Sequence, residues 1–119
     1  LFRYLLGQQT PEAYRYLAAE AVPAYVQTSR AATRALNRAL KAGYDRREAL
    51  AQIQVPALVL AGERDRHISA ASSQETAECL PQATWHCYSE AAHLFPWEIP
   101  NRVCTDIDAW LQAHPQVCS

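Results

Sequence analysis

The sequence predicts an α/β fold in which a strand–helix–strand–helix unit follows a helical first segment. An uninterrupted apolar run at residues 55–60 is typical of a strand buried on both faces of a parallel sheet. A second short apolar run, residues 83–88, follows after a stretch long enough for one crossover helix. We therefore divide the chain into a helical segment, residues 1–52, and a βαβα unit, residues 53–119, with an open parallel sheet.

The composition is that of a globular domain. Of the 119 residues, 50% are apolar and 19% are charged, which excludes a disordered chain. The net charge of −1 gives no support for binding to nucleic acid or to an acidic membrane surface. No apolar run approaches the roughly 20 residues that span a bilayer. The lack of Met and the mid-pattern start at Leu1 predict that residue 1 is not a natural initiation point.

The cysteines predict neither a metal site nor an obligatory disulfide framework. Their spacing contains no C-x-x-C pair, so a zinc site is not expected. Two disulfides with three possible connectivities remain open, but buried or idle thiols in a cytoplasmic protein are the favoured interpretation. The four residues are Cys79, Cys87, Cys104 and Cys118.

The first segment is predicted to consist of successive helices. Residues 1–8 are apolar and aromatic and fit either a helix end or a strand remnant. Thr10-Pro11 suits the cap and first position of a helix that extends to about Glu20. Pro23 is expected to restart the pattern, and a helix rich in Ala, Leu and Arg follows over residues 24–42.

This second helix carries a narrow apolar stripe, and Gly43 is its natural stop. Its basic residues are better interpreted as a solvated surface than as a nucleic-acid face, because no aromatic residue is interleaved with them. The stripe consists of Ala32, Leu36, Ala39 and Leu40, and the basic residues are Arg30, Arg34, Arg38 and Lys41.

Turn and cap residues delimit the strands and helices that follow. Asp45, with Glu48 three residues later, predicts a capping box for a short helix to about Gln52. Pro56 is tolerated because it lies among the first residues of the strand at 55–60.

Two further helices complete the βαβα order. Ser69 is a candidate cap for a helix to Leu80, and Pro81 prevents its continuation. Pro100 opens a final helix that ends at His114-Pro115. This helix is expected to pack on the sheet through a regularly spaced apolar face. The face consists of Val103, Ile107, Trp110 and Leu111.

An acid and a base follow the two predicted strands. Asp65 lies just past the glycine turn that ends the first strand, and His93 lies just past the end of the second strand. Because parallel strands end at the same edge of a sheet, we expect these two side chains to meet. A carboxylate beside an imidazole is an acid–base pair.

Two motifs around this pair resemble the C-terminal part of α/β-hydrolase fold enzymes. Residues 53–65 read IQVPALVLAGERD, and residues 91–100 read AAHLFPWEIP. In that family a strand ending in a Gly-x-x-Asp turn supplies the acid of the catalytic triad, and the loop after the last strand supplies the histidine. The resemblance, over about residues 53–112, implies these roles for Asp65 and His93, which lie 28 residues apart.

The chain departs from the family pattern in two ways. Glu90 and Ala92 replace the usual glycines before the histidine. More importantly, none of the three glycines is followed two residues later by Ser or Cys, so the chain lacks the Gly-x-Ser-x-Gly turn that holds the nucleophile. The resemblance then implies the C-terminal portion of a larger hydrolase, with residues 1–52 similar to the end of a cap region and the helix leading into the sheet.

The resemblance implies a hydrolase of ester, lactone or similar acyl bonds, with a small-molecule acyl substrate and no metal or organic cofactor. His67, Phe95 and Trp97 are candidate substrate contacts. For His67 a solvated loop histidine is the favoured interpretation, and for Phe95 and Trp97 packing over the sheet edge is an equal alternative. The isolated chain is expected to be inactive, and to form a homo-oligomer or associate with a chain that supplies the missing strands. Two alternatives stay open: a non-catalytic small-molecule-binding or interaction module, and a dehalogenase or epoxide hydrolase with an upstream Asp nucleophile.

Overall fold

The computed structural model describes residues 11–43 and 45–117. Three expectations lie outside the described residues: the alternatives for residues 1–8, the predicted cap at Thr10 and the thiol of Cys118. The assignment of residues 1–52 to the end of a cap region stays a prediction.

The first helices are continuous across Pro23, so the predicted restart at that residue is wrong. Helix α1 (Pro11–Tyr16) passes through a π-helical turn (Leu17–Ala21) into α2 (Val22–Gln27). The N–H of Val22 donates to the carbonyl of Leu17, five residues back. This widened turn precedes a proline that has no N–H to donate, which explains how the helix continues.

The real break lies at Ser29, which caps α3 (Arg30–Lys41). The Ser29 hydroxyl accepts the N–H of Ala32 at 3.1 Å, as expected of an N-cap. Gly43 ends this helix as predicted, with a left-handed φ of 87° that favours glycine.

The apolar stripe of α3 faces solvent instead of a core. Leu36 is 62% exposed and Leu40 is 58% exposed, and no described residue of this helix is buried. The basic residues of α3 are also exposed, as expected for a solvated surface.

Helix α4 (Arg47–Leu50) begins without the predicted capping box, and it ends two residues earlier than expected. Arg46 occupies the N-cap position, and its side chain makes no capping hydrogen bond. The Asp45 carboxylate instead accepts the backbone N–H of Arg47 at 3.0 Å and pairs with its guanidinium. The acid therefore bonds two residues ahead, where the capping box requires three.

The predicted parallel sheet is confirmed, with two strands in the described residues. Strands β1 (Ala57–Gly62) and β2 (Ala83–Tyr88) pair in parallel from Ala57 opposite Ala83 to Gly62 opposite Tyr88. β1 starts two residues later than predicted. Pro56 has no N–H for the ladder, and the N–H of Ala57 makes the first bond, to the carbonyl of Gln82 at 3.0 Å.

Helix α5 (Ala70–Cys79) makes the crossover between the strands. Its predicted cap is confirmed, since the Ser69 hydroxyl accepts the N–H of Ser72 at 3.1 Å. Two helices follow β2, namely α6 (Phe95–Glu98) and α7 (Pro100–Ala113), and a 3-10 turn covers Pro115–Val117.

Helix α7 packs on the sheet through the predicted face. Val103 is 5% exposed and belongs to a core cluster with Tyr88 and Ala91, against which Ile107 packs. The indole N–H of Trp110 donates to the hydroxyl of Thr84 on β2 at 3.0 Å. The sheet, and with it the tip of β2, is therefore supported from this side.

Three of the four cysteines lie within the described residues. Cys79, Cys87 and Cys104 are free thiols. None of the described helices combines the length and apolar character needed to cross a membrane.

Candidate active site

The turn that follows β1 fixes the carboxylate of Asp65. The backbone N–H of Asp65 donates to the carbonyl of Gly62 at 3.2 Å, which closes the turn. One carboxylate oxygen, Oδ1, accepts the backbone N–H groups of His67 at 2.7 Å and Ile68 at 3.0 Å. Aspartate often stabilises a turn in this way, and here the arrangement leaves the second oxygen for another partner.

That partner is His93, in the loop that follows β2. Its Nδ1 lies 2.8 Å from Oδ2 of Asp65. The side chain of Asp65 is 8% exposed and that of His93 is 30% exposed, so the bond is largely shielded while the imidazole still reaches the surface. The structure thus brings together the two residues that the sequence placed at neighbouring strand ends.

The environment keeps Asp65 ionised near neutral pH. Burial alone would raise its pKa, but hydrogen bonds from the Ile68 N–H, from His93 and from the His67 N–H outweigh burial and hold the pKa below its ordinary value. An ionised carboxylate only accepts hydrogen bonds, so Nδ1 of His93 donates. In the neutral imidazole, Nε2 then carries the lone pair that can accept a proton.

Backbone hydrogen bonds join the two loops that carry the pair. The N–H of Glu63 donates to the carbonyl of Tyr88, and the N–H of Arg64 donates to the carbonyl of Ala91, both at 2.9 Å. The Arg64 side chain adds a bond from Nε to the carbonyl of Ser89 at 3.1 Å. These bonds extend the contact between the strands to the edge where acid and histidine meet.

Gly62 allows this close approach. A Cβ at this position would lie 2.5 Å from the carbonyl oxygen of Ala91 and closer still to that of Ala92. The last residue of β1 therefore has room for a hydrogen atom only, because the loop before His93 passes directly over it.

The predicted substrate contacts differ in their positions. The His67 ring meets the His93 ring edge to face, with centroids 5.0 Å apart. Trp97, which is 36% exposed, stacks on Tyr16 of α1 with centroids 3.9 Å apart. The Phe95 ring packs near the buried Tyr88 ring at 5.5 Å, within the core that supports the loop. Contact of any of the three with substrate stays a prediction.

Two residues at this site were missed by the sequence analysis. Glu98 is 4% exposed, and its Oε1 accepts the N–H of Ala92 at 3.0 Å. In the sequence, its place as an acidic residue within the apolar run after His93 could have indicated a buried, hydrogen-bonded carboxylate. Tyr16, which stacks on Trp97, belongs to a helix far away in sequence, and nothing in its local pattern predicted this contact.

The family model "Serine aminopeptidase, S33" matches residues 10–99, which is more than half of the chain. The chain belongs to this α/β-hydrolase family. The match includes Asp65 and His93 and extends through most of the helical first segment, which confirms the resemblance and the fold class predicted from the two motifs.

A solved structure gives the same fold. The crystal structure of a membrane phospholipase A, described as a novel bacterial virulence factor, aligns with a TM-score of 0.65 at 20% identity. The alignment covers 92% of this chain and 35% of that protein, so the chain spans about a third of its length. A comparison with curated proteins gives no significant match.

Proposed function

We propose that this chain supplies the acid, Asp65, and the histidine, His93, of a Ser-His-Asp triad in a hydrolase of ester, lactone or similar acyl bonds. The hydrogen bond of 2.8 Å between Nδ1 and Oδ2 is the observation that carries the proposal. Membership of a hydrolase family and the position of both residues at the ends of neighbouring parallel strands support it.

The two residues would have different roles in the reaction, because only His93 would carry the proton. Nε2 of His93 takes the proton of the attacking serine hydroxyl as the acyl carbon–oxygen bond forms, and then gives it to the leaving group. Asp65 holds the imidazole in the correct tautomer and stabilises the imidazolium. In the second half, His93 takes a proton from water, the resulting hydroxide displaces the serine oxygen from the acyl carbon, and the serine recovers its proton.

The family description favours serine as the nucleophile. It names a serine enzyme, whereas an Asp nucleophile would be needed for dehalogenation or epoxide opening. The chain itself contains no Gly-x-Ser-x-Gly turn, so the nucleophile belongs to sequence outside these 119 residues. We therefore expect the isolated chain to be inactive.

The edge of β1 that faces away from β2 is a surface where a partner could add strands to the sheet. Among the described residues, β1 pairs only with β2, which leaves its other edge without a strand. The residues just before the strand are apolar and exposed, with Val55 at 65% and Ile53 at 38%. We propose that this edge pairs either with a second copy of the chain or with a polypeptide carrying the remaining strands. Light scattering that shows a monomer across a concentration series would contradict self-association.

Steady-state kinetics on a protein that joins this chain to the nucleophile-bearing part would test the proposal. We expect His93→Ala and Asp65→Asn each to lower kcat for p-nitrophenyl acetate by about 10⁴-fold with little change in KM. His114→Ala is the matched control, because that imidazole bonds the carbonyl of Trp110 on α7 and belongs to neither loop. Equal losses in all three variants, or full activity of His93→Ala, would overturn the proposal.

A further inference from the structure

Glu98 is an acidic residue that the fold holds out of water beside the histidine loop. It is the last residue of α6 and is 4% exposed. Its Oε1 accepts the backbone N–H of Ala92, the residue immediately before His93, at 3.0 Å. Burying a carboxylate costs free energy unless hydrogen bonds offset the cost, so its position needs a physical explanation.

Both backbone polar groups of Ala92 bond to residues of α6. Its N–H donates to Glu98, and its carbonyl accepts the N–H of Phe95 at 3.3 Å. Ala92 is 1% exposed, so neither group can turn to water instead. The two peptide units that meet at Ala92 are thus fixed, and with them the starting point of the His93 backbone.

The neighbouring residue, Ala91, is held by the loop that follows β1. The carbonyl of Ala91 accepts the N–H of Arg64 from the loop that carries Asp65. The loop before His93 is therefore held at Ala91 by the loop after β1 and at Ala92 by α6. An imidazole separated from its carboxylate by 2.8 Å tolerates little displacement of this backbone.

We propose that Glu98 is a positioning residue for His93. It acts through the Ala92 peptide, keeps Nδ1 within hydrogen-bond distance of Asp65, and touches no substrate. Its importance for catalysis rests on the proposed function. Its effect on the bond between Asp65 and His93 is a property of the chain itself and can be measured without activity.

Proton NMR of the ¹⁵N-labelled chain at pH 7 tests the inference. A proton held between Nδ1 and a carboxylate should give a downfield, slowly exchanging imidazole signal, which Asp65→Ala must abolish. Glu98→Gln retains the length and the acceptor oxygen, whereas Glu98→Asp retains the charge but is one methylene too short. We expect the signal to persist in Glu98→Gln and to be lost in Glu98→Asp, with Ala92 amide exchange about tenfold faster in the latter.

Controls separate positioning from general destabilisation. Glu90→Asp shortens another glutamate of the same loop and should leave the signal unchanged. If Glu98→Asp does not fold, Glu98→Met, of similar length but without an oxygen acceptor, takes its place with the same expected loss. A signal that survives in Glu98→Asp, or is lost in Glu98→Gln, would overturn the role of Glu98. A wild-type chain without the signal would overturn the Asp65–His93 pair itself, and this inference with it.

Discussion

Gly62→Ala tests whether the close contact between the two loops holds the site together. The added Cβ would lie 2.5 Å from the carbonyl oxygen of Ala91 and 2.7 Å from its carbonyl carbon. The loop would have to withdraw by about 1 Å to reach an ordinary contact distance. Forcing a methyl group into a packed site costs about 1–3 kcal/mol, and weakening the bond from Arg64 to Ala91 adds about 1 kcal/mol.

We therefore expect Gly62→Ala to lower the free energy of unfolding by about 2–4 kcal/mol and Tm by about 10 °C, measured by circular dichroism. Gly43→Ala is the matched control. Gly43 has a φ of 87° but nothing within 4 Å of an added Cβ, so only the conformational cost of about 1 kcal/mol applies. A Tm for Gly62→Ala equal to or above that of Gly43→Ala would refute the reasoning.

Two smaller perturbations test the cap of α5 and the hydrogen bonds of Asp65. Ser69→Ala removes the hydroxyl that accepts the Ser72 N–H, so the free energy of unfolding should fall by about 1 kcal/mol in urea titration; an unchanged midpoint would contradict the capping role. Asp65→Asn should destabilise the chain at pH 7. The pKa of Asp65 is lower in the folded chain than in the unfolded chain. The free energy of unfolding of the wild type should therefore exceed that of Asp65→Asn above about pH 4, and the difference should disappear as the pH falls through the folded pKa. A difference in the free energy of unfolding that stays constant from pH 7 to pH 2 would contradict this. The control is Asp108→Asn, because Asp108 is an exposed aspartate of α7.

The strands could be predicted because local sequence determines them, and the acid–histidine pair could be predicted because parallel strands end side by side. The apolar run before Gly62 and the run ending at Tyr88 both indicated buried strands, and parallel strands end at one edge. The meeting of Asp65 with His93 then followed from topology alone, without knowledge of any side-chain packing.

The helical first segment was less predictable because tertiary contacts decide its form. Pro23 looked like a break, yet the helix continues through a π-helical turn. Ala13 and Leu17, at the start of that region, are buried against Leu94 of the histidine loop. A contact between residues so distant in sequence leaves no periodic pattern that local reasoning can detect.

The roles of the aromatic residues after His93 could not be separated by sequence either. Phe95 and Trp97 are two positions apart in a short helix and therefore point in different directions. The structure packs Phe95 near Tyr88 in the core and stacks Trp97 on Tyr16 near the surface. Periodicity over four residues is too short to show which ring faces the core.

Covalent labelling with a fluorophosphonate tests the central claim most directly, because the reagent reacts with a serine that a histidine activates. In the protein that joins this chain to the rest of its hydrolase domain, we predict one labelled serine outside residues 1–119, with labelling lost in His93→Ala and retained in His114→Ala. A labelled serine within residues 1–119, or undiminished labelling in His93→Ala, would contradict the account.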